Sequence, residues 1–142
     1  MGSTTLFNYF DELFRVLFFE DDNDVGSKVF VDNFAKDFTG SINSQHFDYN
    51  AFQNACVVAR REWTMSLQSH EALVTSFEDA QGETYPHDKG PNAVTTKSFW
   101  SFEEKSTGKK THRETVVVII TRLEEDGVRR VKQWTEVTRD LE

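Results

Sequence analysis

Val116-Val-Val-Ile-Ile120 is five apolar residues without a polar break, and no other segment restricts the fold as tightly. Successive side chains of a strand point to opposite faces, so a strand with one wet face alternates apolar with polar. This segment does not alternate, and both of its faces must be covered. Turn signals bound it, with Ser106-Thr-Gly108 before it and Asp126-Gly127, a strong hairpin signal, after it. The pattern predicts strands over residues 66–78, 94–104, 110–124 and 128–139. The second of these carries Phe99, Trp100 and Phe102. Residues 79–93 contain both prolines, Pro86 and Pro91, and read as a polar loop that also holds His87.

The N-terminal half has helical periodicity instead. Leu6, Phe7, Phe10, Leu13, Phe14, Leu17 and Phe18 recur at helical spacing, after Ser3, Thr4 or Thr5 as a cap. The acidic run Glu20-Asp-Asp22 ends that helix, because a helix C-terminus disfavours anions. A second helix is predicted over residues 24–36, capped by Asp24 and turning Val29, Phe30 and Phe34 inward. Residues 37–43 read as a short strand and turn. A third helix starts at the cap Asp48, where Phe47 and Phe52 can close a hydrophobic staple. Phe52, Ala55, Cys56, Ala59 and Trp63 fall on one face of it, which makes Cys56 a small buried hydrophobe rather than a nucleophile. Helices first and a meander of strands second indicate an α+β fold, with the helices on one face of an antiparallel sheet. The other face of the central strand then meets a second subunit, or a curved sheet wraps on itself.

The 142 residues fit a single domain, 1–142. With 13 phenylalanines the core is expected to be dense in rings. Sixteen basic against 24 acidic residues give a net charge of −8, a field that repels phosphate backbones. The basic clusters Lys109, Lys110, Arg113 and Arg129, Arg130, Lys132 flank turns and read as solvated, so no nucleic-acid partner is expected. Met1 to Thr5 lacks a basic region, and the apolar stretch after it is broken by Asn8, Asp11, Glu12 and Arg15. Neither a signal peptide nor a membrane span is expected, no membrane partner, and a cytoplasmic location. A single cysteine forms no internal disulfide, and His, Cys and Asp lack ligand spacing, so neither metal nor cofactor is expected. Phosphate-cradling glycine loops and a nucleophile elbow are absent as motifs.

This order of elements resembles the nuclear transport factor 2-like superfamily, which includes SnoaL-like polyketide cyclases, ketosteroid isomerases and scytalone dehydratase. The likeness is carried by Thr107-Gly-Lys109, the strand from Thr115 to Leu123, Asp126-Gly127, and Val131-Lys-Gln-Trp134-Thr-Glu136. Ser41-Ile-Asn43 and Phe47-Asp-Tyr-Asn-Ala-Phe52 resemble the corresponding strand and helix start of fungal SnoaL-like proteins of unknown function. The resemblance spans roughly residues 5–140. It implies a cone-shaped α+β barrel in which a strongly curved antiparallel sheet wraps the first helix. It also implies a cavity at the open end, frequent dimerisation through the sheet, and an Asp or His as acid/base in the cavity. No catalytic residue of the isomerase or dehydratase maps directly onto this chain.

The candidate acid/base residues are therefore read locally. Trp134, Glu136, Thr138 and Asp140 share one face of the last strand, so Glu136 lies beside Trp134. His46 follows the short strand, near the expected cavity mouth, and Asp37 opens that strand. His70 and His112 neighbour Glu71 and Glu114 in sequence, but adjacent strand residues face opposite ways. Phe14, Trp63, Trp100 and Trp134, with Phe10, are the expected aromatic lining for a small apolar or ring-containing molecule. Two readings stay open. One is a cofactor-free isomerase, cyclase or dehydratase, or simply a binding protein, acting on such a molecule. The other is a non-catalytic dimeric adaptor whose cone is plugged by phenylalanines.

Overall fold

A computed structural model describes residues 4–75, 84–85 and 92–141. The elements run β1 (Thr4–Thr5), α1 (Leu6–Phe19), α2 (Asn23–Asn33), β2 (Phe34–Ile42), β3 (Gln45–Asp48), α3 (Tyr49–Glu62), β4 (Trp63–Thr75), β5 (Thr84–Tyr85), β6 (Ala93–Glu104), β7 (Lys110–Leu123) and β8 (Arg129–Leu141). The tip of the proline loop, with His87, lies outside the described residues. No helix among the described residues is long and apolar enough to cross a membrane.

Local chemistry sets the helix ends. Thr5 caps α1 by accepting the Asn8 N–H at 2.9 Å. Asp22, not Asp24, caps α2, accepting from the backbone of Asp24 and Val25. That helix stops at Asn33, short of residue 36, because Phe34 and Ala35 are buried in β2 instead. Asp48 caps α3, and Phe47 meets Phe52 edge-on at 6.0 Å, closing the staple. Arg60, only 6% exposed, ties the three helices together. Its guanidinium donates to the Leu17 carbonyl at the end of α1 (2.7 Å) and to Asn23 and Ser27 of α2. Gly26 leaves room beneath it, since a Cβ there would sit 2.7 Å from the guanidinium carbon and the arginine would have to shift.

Three helices pack on a six-stranded sheet of order β3-β2-β8-β7-β6-β4. The fold class is the expected α+β, with two refinements. The sheet is mixed rather than wholly antiparallel, because β2 lies parallel to β8. The two are joined by a long crossover rather than a hairpin, so nothing forces them antiparallel. The sheet is also open rather than a closed barrel, with the four-residue β3 and the long β4 as its free edges. Register breaks in β2, β4 and across the β7–β8 pair bend the strands.

In β7 the inner set is Thr115, Val117, Ile119 and Thr121, all buried. Val116, Val118 and Ile120 face outward and are only half-buried. Cross-strand register continues this outer surface through Val137, 65% exposed, and Val74, 64% exposed. The core centres on Trp134, which touches Phe10, Phe14 and Phe18 of α1, Phe34 of β2 and Phe52 of α3 at ring separations of 5.2–6.3 Å. Leu13, Phe14, Leu17, Phe52 and Cys56 are buried as expected. Phe52 meets five rings, those of Phe30, Phe34, Phe38, Phe47 and Trp134. Truncating it to alanine is expected to lower unfolding stability by about 3–5 kcal/mol. Urea denaturation measures this, and a loss below about 1 kcal/mol would contradict the core assigned here.

Candidate functional site

Inward residues of β6, β7 and β8 form successive rows from the closed end of the sheet outward. Val94, Ile119 and Trp134 make the innermost row, then Thr96, Val117 and Glu136, then Ser98, Thr115 and Thr138, and finally Trp100, Arg113 and Asp140. Burial falls along these rows: Trp134 is fully buried, Glu136 is 8% exposed and Asp140 is exposed. Between the outer rows and helices α1 and α3 lies a cavity of about 340 Å³. Phe14 and Phe19 of α1, Cys56 of α3, and Trp63, Trp100 and Phe102 of the sheet belong to its apolar wall, while Arg113, Thr115 and Glu136 are its charged and hydroxyl groups.

Glu136 sits where the cavity meets the core. Its Oε1 accepts the Trp134 indole N–H at 3.0 Å. Its Oε2 has no hydrogen-bond partner among the described residues. Burial pushes its pKa up from 4.5 to about 6, against the hydrogen bond from Trp134 and the positive field of Arg113, which both favour the carboxylate. Thr115 is committed elsewhere. Trp100 Nε1 donates to Thr115 Oγ1 at 2.9 Å, and Thr138 Oγ1 donates to the Glu114 carbonyl at 3.2 Å. The two hydroxyls also lie 2.7 Å apart and share a hydrogen bond. Cys56 has its thiol pushed up to about 12 by burial, opposed by Arg60 and reinforced by Glu136, so it stays protonated and is not a nucleophile.

Of the residues singled out in the sequence, Phe14, Trp63, Trp100 and Glu136 line the cavity. Trp134 does not. It lies fully buried beneath Glu136 and orients that carboxyl rather than facing a ligand, and Phe10 is likewise sealed in the core. Asp37 and His46 are not in the cavity. The register break in β2 turns Phe38 inward and Asp37 to solvent, where Arg122 and Lys132 pair with it. The hydrogen bonds from Arg122 hold the Asp37 carboxyl below its usual range. His46 is exposed on β3, the outermost strand. Sequence reasoning missed Arg113 by grouping it with Lys109 and Lys110. It lies two and four residues from Thr115 and Val117 on the same inward face, so strand alternation contained the signal. It also missed a pair that no local pattern reveals: His70 Nδ1 lies 2.7 Å from Asp11 Oδ1, and its ring is walled by Phe7, Phe10 and Phe14. Burial lowers the His70 pKa, with Asp11 opposing. Among the described residues no three His, Cys, Asp or Glu side chains converge as a metal site.

No protein-family model matches the sequence, and no curated protein matches it. Solved structures do match. A nuclear transport factor 2-like protein of unknown function from Exiguobacterium superposes with a TM-score of 0.61 at 13% identity, covering 93% of this chain and 98% of its own. A ketosteroid isomerase-like protein from Erwinia carotovora gives 0.64 at 9% identity, covering 94% and 93%. This chain has the nuclear transport factor 2-like fold. A conserved protein from Planctomyces limnophilus matches equally well, with a TM-score of 0.64 at 11% identity over 94% of this chain and 99% of its own. At these identities the likeness establishes the nuclear transport factor 2-like fold, and the chemistry rests on the cavity's own residues.

The perturbed carboxyl has a measurable consequence. A group whose folded pKa is raised adds stability that is fully present below its unfolded pKa and lost as pH rises through the folded value. A rise from 4.5 to about 6, at 1.36 kcal/mol for each tenfold, penalises the ionised folded form by roughly 2 kcal/mol. The stability of the wild type relative to Glu136→Gln is expected to fall by about that amount between pH of about 4 and 7. Parallel denaturation curves at those pH values check it, and a constant difference would remove the case for a perturbed Glu136.

Proposed function

We propose that the cavity binds a small, apolar, ring-containing molecule, and that Glu136 transfers a proton on it in a cofactor-free isomerase-, cyclase- or dehydratase-type reaction. The observation that carries this reading is a carboxyl held in an apolar cavity with one oxygen fixed by Trp134 and the other unpartnered. Such a group is poised near neutral pH, where a general acid or base works best. For a carbon acid next to a carbonyl, a base of moderate strength held at a fixed point takes the proton, and the enolate oxygen that forms requires a donor in the cavity. The open cavity favours this reading over a plugged, purely structural cone.

The test follows deuterium uptake by NMR at the carbon beside the carbonyl of cyclic ketones, including β,γ-unsaturated ones, in D₂O. The wild type should accelerate exchange over buffer for at least one ring size, with a rate that rises as pH passes about 6. Glu136→Gln should reduce that acceleration by roughly 10²–10⁴-fold. Absence of acceleration for every ketone, with retained binding, would leave a binding protein without acid/base catalysis.

The outer sheet face supports association with a second copy. Its centre is Val116, Val118, Ile120 and Val137, and its rim carries both charge signs in Lys97, Glu114 and Arg139, which already pair within the chain. A two-fold axis through an apolar centre with a mixed-charge rim is self-complementary. Sedimentation at micromolar concentration should give twice the monomer mass of 16.4 kDa. Val118→Glu should yield monomers, whereas Ile119 points inward and its substitution should unfold the chain. A wild type that remains monomeric would overturn this assembly.

A further inference from the structure

The cavity's polar groups are unequal, and the inequality selects ligands. Thr115 is bonded to Trp100 and Thr138, and the Cys56 thiol is a weak donor. When Glu136 is ionised it only accepts. Arg113 is the only cationic side chain among the described residues lining the cavity. Its guanidinium carbon lies 4.5 Å from the Phe102 ring centre and 5.4 Å from that of Trp100, so two rings fix its plane. One edge of the fork is used, Nε and Nη2 both lying 2.7 Å from Asp140 Oδ1. Nη1 has no partner among the described residues, which leaves the Nη1–Nη2 edge for a bidentate acceptor. The arginine is 27% exposed and Asp140 60% exposed, which places the pair at the mouth, where such an ion pair is weak and readily shared. Glu136 lies two rows deeper on the neighbouring strand.

From this arrangement we infer that Arg113 makes the cavity selective for apolar molecules bearing one carboxylate or a comparable anionic oxygen pair, held at the mouth while the apolar body extends toward Glu136. This inference rests on the cavity being a binding site, and the experiment separates the two. The probes are 2-naphthoate and 2-naphthamide, equal in shape and different in charge, titrated at pH 8 while the tryptophan fluorescence is followed. The wild type should bind the carboxylate roughly ten- to a hundredfold more tightly than the amide, the span of a charge-assisted hydrogen bond. Arg113→Gln should reduce that preference to about twofold or less while leaving amide affinity within about threefold. Asp140→Asn, which frees the remaining guanidinium edge, should strengthen carboxylate binding, and Glu136→Gln, which removes the deeper negative charge, should keep or raise the preference. Equal binding of the two probes by the wild type, or an undiminished preference in Arg113→Gln, overturns the selectivity and leaves the cavity reading intact. Failure of both probes to bind at millimolar concentration overturns the cavity reading and the selectivity together.

Discussion

Everything in this molecule is arranged around the buried indole of Trp134. It touches rings from α1, β2 and α3 while belonging to β8, so one side chain fixes two helices and two adjacent strands of the sheet. A fully buried indole needs a partner for its N–H, since an unsatisfied buried donor costs about 1–3 kcal/mol. Here the partner is Glu136, two residues along the same face. The core therefore requires an acceptor at the cavity floor, and the acceptor it uses is an ionisable one. Structural demand and reactive potential meet in a single hydrogen bond.

That coupling explains how a chain with a Phe-rich core retains a cavity. Dense ring packing fills the closed end, where Phe30, Phe34, Phe38 and Phe52 stack or meet edge-on at 4.2–6.2 Å. Toward the open end the inward residues become Thr115, Thr138, Arg113 and Asp140, whose polar atoms bond one another and cannot fill apolar space. Small residues at Ala55, Cys56 and Ala59 on α3 leave room opposite them. The cavity thus follows from a change along three strands, from the wholly apolar row of Val94, Ile119 and Trp134 to rows that carry hydroxyl and charged groups.

Much of this change was legible in the sequence. The unbroken run Val116 to Ile120 marked a strand with two covered or partner-seeking faces, and period-2 alternation put Glu136 beside Trp134. Caps at Thr5 and Asp48 placed two helix starts, because they act within a few residues. What failed was what depends on distant pairing. Trp63 fits the helical stripe of α3 as well as it fits the start of β4, and its place is decided by pairing with Glu104. His46 was placed by the expected cavity mouth and Asp37 by its position at the start of the short strand, and the register break in β2 that turns Asp37 outward leaves no mark in the local pattern. The His70–Asp11 pair joins residues 59 apart and could not be read from either neighbourhood.

Arg113 shows a subtler failure, and it bears on how such a site works. In sequence it belongs to a basic cluster beside a turn, where charges are usually solvated. In the structure its stem follows the inward face of β7 and its head reaches the cavity mouth over two aromatic rings. An arginine can be both, because its aliphatic stem is comfortable against apolar surface while its head stays wet. The same property lets one residue bias two events. Its field reaches Glu136 and lowers that carboxyl's pKa against the larger effect of burial, so it tempers the acid it stands above. An anion seated on its free edge would cancel part of that field. Glu136 would then bind its proton more tightly with the ligand in place than without it, and entry of the ligand would itself shift the carboxyl toward its acid form.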